Sequence, residues 1–242
     1  MLVIVQKEVR AFLSSLIAYV VMLVFLLATG LFTWVLPDIN VFDMGYSNLD
    51  PLFQMAPWLF IFLISAITMR SFSEEKKSGT IEILTTRPFT DMEIIMGKYV
   101  AGLILVAFTL IPTLIYVYTI HHLGAPAGNA DTGAIAGSYL GLFFLSSCFV
   151  AIGLFASLIS DNQIVSFVVS LFLCYLFYNL FDLIADFKLL GSLDSVVSAL
   201  GINSHYLSIS RGVIDSRDLL YFLGFDTVFL FACKLIFGSR KW

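Results

Sequence analysis

The sequence predicts an all-α integral membrane protein with six transmembrane helices, and three observations predict it. Of the 242 residues, 60% are hydrophobic and only 12% charged, with a mean hydropathy of +0.97. A soluble domain carries about a quarter charged residues, so this chain lacks the polar groups to cover itself in water. Six apolar runs, near 11–36, 52–69, 99–120, 135–158, 164–185 and 219–237, approach or exceed the roughly 20 helical residues that a hydrocarbon core requires. They are continuous rather than alternating in period two, which favours helices over barrel strands. The third observation is the placement of the 13 Lys and Arg residues. With the N-terminus inside, the inner segments hold Lys7, Arg10, Arg70, Lys76, Lys77, Arg87, Lys98, Lys234, Arg240 and Lys241, against Lys188, Arg211 and Arg217 outside. The positive-inside rule then places both termini in the cytoplasm.

The first run follows Lys7 and Arg10, a pattern shared with signal peptides, and Ala28-Thr29-Gly30 offers a weak cleavage pattern. The apolar stretch nevertheless continues through Trp34 to Leu36, so a retained first helix is expected. Between the second and third runs lies a charged loop, residues 70–98. Gly79 and Thr80 break it, residues 80–84 read as a short helix capped by Thr80, Pro88 stops that helix, and Thr90 or Asp91 caps the next. Composition leaves two readings open here: an ordinary solvated loop, or a short helix flanked by Glu74, Glu75, Glu82 and Arg87 that docks on a partner. At the head of the fourth run Gly133, Gly137 and Gly141 recur every four residues and form one stripe, a helix-packing signal. Residues 186–218 form the longest outer segment, apolar enough around Val196–Leu200 to predict short interfacial helices.

Chemistry-bearing motifs are sparse. No G-x-x-x-x-G-K-[ST] phosphate loop occurs, so no nucleotide hydrolysis is expected of the chain itself. No basic run tracks a nucleic-acid backbone. Cys148, Cys174 and Cys233 sit inside apolar runs as packing residues, and His121-His122 has no converging partners for a metal. No cofactor or metal site is therefore expected. Asp182, near the outer end of the fifth run, and Asp226, about two turns into the sixth, are the intramembrane carboxylates. A membrane aspartyl protease would face two such groups, but its G-x-G-D word is replaced by Leu223-Gly224-Phe225-Asp226.

The inner loop resembles the hallmark R-x-F-x-x-E-x-x-x-G-T-x-E-x-L-x-x-x-P of ABC-2-type transporter permeases, through Arg70, Phe72, Glu75, Gly79, Thr80, Glu82, Leu84 and Pro88. Gly97-Lys98 is similar to the G-K that opens that family's third span, and Lys7-Glu8-Val9-Arg10-Ala11-Phe12 to its N-terminal start. More narrowly, Thr29-Gly30-Leu31-Phe32, Ala56-Pro57-Trp58, Ile67-Thr68-Met69-Arg70 and the 208–215 stretch resemble gliding-motility-associated permease subunits; Ser65 departs from a proline common there. The resemblance implies a single ABC-2 (type V exporter-like) transmembrane domain over residues 1–242 in a bacterial inner membrane. It implies an amphipathic elbow helix along the bilayer with Lys7, Glu8 and Arg10, and a coupling helix from the 70–98 loop. It also implies two partners, a separate ATPase subunit that holds ATP and Mg and a second permease subunit, either a copy or a related chain. A structural or regulatory subunit that docks an ATPase without transport is the other function class.

Overall fold

The computed structural model of the protein describes residues 1–45, 47–85, 88–124, 128–188, 191 and 194–239, with the side chains of 83–85, 186 and 195 outside the description. Among these residues all regular structure is helical. Helix α1 (Leu2–Leu13) buries Ile4 and Val5 and leaves Lys7 and Arg10 in the open, so it is two-faced. The chain then turns at Ser14–Ser15: the Ser14 hydroxyl donates to the Ala11 carbonyl at 2.9 Å and Ser15 is extended. Helix α2 (Leu16–Trp34) follows. The first span thus begins at Leu16 and not at residue 11, because the serine pair separates a surface helix from the crossing one.

A short helix α3 (Val41–Met44) leads to α4 (Asp50–Thr68), the second span. Helix α4 runs continuously through Ser65, whose hydroxyl meets Ser170 at 2.8 Å. It also contains Pro57, which has no N–H to offer the carbonyl four residues back. That carbonyl, on Phe53, accepts instead from the Tyr206 hydroxyl at 2.7 Å.

Two short helices, α5 (Ser73–Lys77) and α6 (Thr80–Thr85), fill the charged loop. Helix α7 (Asp91–Leu110) opens with a capping box: Thr90 Oγ1 accepts from Glu93 N, while Glu93 accepts from the Thr90 backbone. The third span therefore starts eight residues before the apolar run read from the sequence. It tightens at Ile111–Thr113 around Pro112 and continues as α8 (Leu114–Leu123).

Helix α9 (Thr132–Ile159) is the centre of the bundle: 78% of its apolar window is buried, against 22% for the first, fifth and sixth spans. The fifth span is α10 (Gln163–Tyr175), one π turn at Leu176–Leu180, and α11 (Phe181–Asp186). The segment expected to lie at the interface holds α12 (Asp194–Ser198) and α13 (Ile202–Ser210). Helix α13 does more than lie on a surface, because Ile202, Tyr206 and Ile209 share one face and are all buried. The glycine stripe explains the fit. A Cβ on Gly137 would stand 2.7 Å from the Gly212 Cα and the Ile209 carbonyl, and one on Gly141 would stand 3.2 Å from the Tyr206 ring. A Cβ on Gly133 would stand 3.3 Å from Asp131 Oδ1, and the Gly133 backbone lies beside Gly212, whose own Cβ would stand 3.0 Å from it. The helix that approaches this stripe belongs to the same chain. Helix α14 (Ser216–Gly238), capped by Asp215, is the sixth span.

Candidate functional site

Alternation of the spans brings α1, α5, α6 and the 160–162 turn to one end of the bundle. The sequence places most of its charge there, and the structure organises it around Lys98. This lysine lies in the second turn of α7, on a helix face covered by α1, and its side chain is 1% exposed. The close approach of α1 depends on Gly97, where a Cβ would stand 2.8 Å from Ile4 Cγ2. With the helices in contact, Lys98 Nζ donates to Glu8 Oε1 at 2.9 Å and to the Ser71 carbonyl at 2.6 Å. It also lies 3.0 Å from Glu75 Oε2, an ionic contact outside hydrogen-bond alignment, and 4.9 Å from the centroid of the Phe72 ring. A buried ammonium is tolerated only when neutralised in this way.

Glu75 carries the contact onward. Its Oε1 accepts from Lys7 Nζ at 2.6 Å, and Lys7 also lies 3.3 Å from Glu8. Two lysines and two glutamates thus form a closed, charge-balanced clamp joining the N-terminal helix, the loop helix α5 and the third span. Burial pulls the Lys7 ammonium down, but the hydrogen bond to Glu75 and the charges of Glu8 and Glu75 outweigh it, leaving its pKa above the ordinary lysine value. Phe72 is fully buried beneath the clamp, with its ring 5.5 Å from that of Phe237 at the end of α14. A second tie holds the far side: Lys76 Nζ donates to the Leu158 carbonyl and lies 3.5 Å from Asp161 in the turn after α9.

The remaining loop residues separate into braces and exposed groups. Gly79 ends α5 at φ 70°, a left-handed conformation that glycine adopts without strain, and this turn launches α6. Thr80, expected as the cap of α6, is its first helical residue. Its hydroxyl turns back to Ser78 Oγ at 2.8 Å and the Glu75 carbonyl at 3.4 Å. Glu74, Glu82 and Pro88 are exposed, as is Arg10 on α1, whereas Ile81 of α6 is buried. Arg87 lies outside the described residues. Arg70 is half-buried, with Nη1 3.4 Å from Ser15 Oγ and Nε enclosed without a partner.

The sequence reading missed Lys98 as a site residue and assigned Glu75 to an outward contact. Both differences have one cause, the return of α1 across α7. An available signal was the acidic Glu8 opposite a lysine at the head of an apolar run.

The two intramembrane aspartates share no hydrogen-bond partner among the described residues. Asp226 is buried with Tyr99 and Ser147, whose hydroxyls meet Oδ2 at 2.8 and 2.7 Å. Asp182 accepts from Asn203 Nδ2 at 2.7 Å and from Ser198 at 3.3 Å, on α13 and α12. Each carboxylate has its own partners, so the facing pair that a protease reading requires is not formed.

Comparison with known proteins adds the family. No curated protein matches the chain. The family model described as ABC-2 family transporter protein matches residues 44–242. The match takes in Glu75 and Lys98 of the clamp, and begins after the helix that carries Lys7 and Glu8. Six long apolar helices and this match identify a multi-pass membrane protein. The chain belongs to the ABC-2 transporter family.

Proposed function

We propose that the chain is the membrane-spanning permease subunit of an ATP-binding cassette transporter, forming one transmembrane domain over its full length. The observation that carries this reading is the pair of short helices α5 and α6, anchored at the base by two ionic ties and exposing Thr80 and Glu82 at the end. A lever needs both features: a free end to be pushed, and a base connected to what must move. Helix α6, with Glu82 on its exposed side, is the part that meets a separate ATPase subunit, which holds ATP and Mg. Arg70, Phe72, Glu75, Gly79 and Thr80 shape and brace the lever. Glu75 serves inside the chain rather than across the interface, since both its oxygens face lysines.

ATP-driven closure of two ATPases would move α6. The clamp would pass that motion to α1 and α7, and Lys76 would pass it to the turn between α9 and α10. The charged end then faces the cytoplasm, in agreement with the lysine and arginine count, and the host membrane is a bacterial inner membrane. A second permease subunit completes the assembly. Substrate export, and a role linked to gliding motility, are the finer readings that the sequence resemblance supports.

The test is co-purification with the partner ATPase and its ATP turnover. Glu82→Ala is expected to weaken capture or stimulation of the ATPase while leaving membrane insertion intact. Glu75→Gln is expected to lower the melting temperature of the permease and to reduce coupling while capture persists. Normal capture and coupling in Glu82→Ala would place the contact elsewhere, with Asp161 and Asn162 as the next residues to change. Intact capture and ATP turnover with no flux in proteoliposomes would favour a docking subunit without transport.

A further inference from the structure

Beside the clamp, the hinge between α1 and α2 encloses a cavity of about 290 Å³. One wall is apolar, built from Phe12, Ile17, Ile67 and Leu105; the rim carries Arg70 and Glu74. The clamp charges on the same rim are spent on one another. The two remaining rim charges are not: among the described residues, neither Arg70 nor Glu74 has an ion-pair partner, and Arg70 Nε is enclosed with none. A half-buried guanidinium without an acidic partner is best matched by an anionic oxygen. The cavity opens where the surface helix α1 meets the start of a spanning helix, which is the depth of lipid headgroups. Its volume is at the small end for ligand pockets, enough for a headgroup and the upper part of one chain.

We propose that this cavity binds one amine-bearing glycerophospholipid, with its phosphate against Arg70, its ammonium against Glu74, and an acyl chain along Ile17 and Ile67. The lipid completes the hinge of α1 by supplying Arg70 with the anionic partner that the described residues do not. The proposal needs only the membrane placement of the chain and is independent of any ATPase partner.

Native mass spectrometry of the full chain in mild detergent tests it, with phosphatidylethanolamine, phosphatidylglycerol and inorganic phosphate as probes. The wild type should retain one phosphatidylethanolamine that excess inorganic phosphate does not displace. Arg70→Gln should weaken retention about tenfold, the scale of one charge-assisted hydrogen bond. Glu74→Gln should abolish the preference over phosphatidylglycerol. Ala66→Phe, which fills the cavity and leaves every charge in place, should also lose the lipid; it decides the matter if Arg70→Gln does not fold. Equal lipid retention by wild type and Ala66→Phe would overturn the proposal. Displacement by inorganic phosphate would also overturn it, by reducing the site to one for free anions.

Discussion

At the scale of single residues, Lys98 sets the terms. Its ammonium is removed from water and held by Glu8, Glu75 and a backbone carbonyl. Lys98→Met would leave two carboxylates crowded with only Lys7 between them. The expected loss is about 3–5 kcal/mol, the usual cost of removing one partner from a buried ion pair. Adding Glu8→Gln restores the charge balance, with Glu75 still paired to Lys7, and should recover a large part of that loss. Lys7→Ala removes a half-exposed cation and should cost below about 1 kcal/mol. Thermal unfolding of the four proteins in one detergent measures all three differences. A Lys98→Met protein as stable as the wild type would remove the clamp from the account. The sequence contained every one of these residues, yet Lys98 reads there as one more positive charge on the inner side. Its burial is a tertiary effect, produced when Gly97 lets α1 lie against α7.

At the scale of elements, the proline in α4 and the tyrosine in α13 belong to one device. Pro57 leaves the Phe53 carbonyl without its helical donor, and Tyr206 reaches in from the segment after the fifth span to supply one. Tyr206→Phe should therefore destabilise the protein by about 1–3 kcal/mol, the penalty for a buried acceptor left unpaired. The same change in a Pro57→Ala background should cost much less, because the restored N–H of residue 57 closes the helix itself. Equal costs in both backgrounds would mean that the hydroxyl acts through packing alone. The six spans, the Thr90 stop-and-start and the helices within 186–218 were legible because hydropathy and capping are local properties. The Ser14–Ser15 turn was not, since apolar residues continue on both sides of it. Nor was the docking of α13: the Gly137–Gly141 stripe announces a close neighbour but does not say which helix it will be.

At the scale of the whole molecule, the charged end and the central α9 form one connected path. The clamp ties α5 to α1 and α7, Lys76 ties α5 to the end of α9, and Phe72 seats the loop on the end of α14. A push on the loop cannot be absorbed locally, because its base is joined to the third, fourth and sixth spans. Helix α6 extends this framework with Ile81 buried against it and Thr80 and Glu82 exposed, and that exposed side is the contact proposed for the ATPase. Hydrogen–deuterium exchange of the detergent-solubilised chain, with and without the proposed ATPase partner, tests that assignment most directly. The account predicts new protection concentrated in residues 73–85, extending to the 160–162 turn and sparing the opposite end at α12 and α13. Protection at the opposite end, with exchange in 73–85 unchanged by the ATPase, would contradict it.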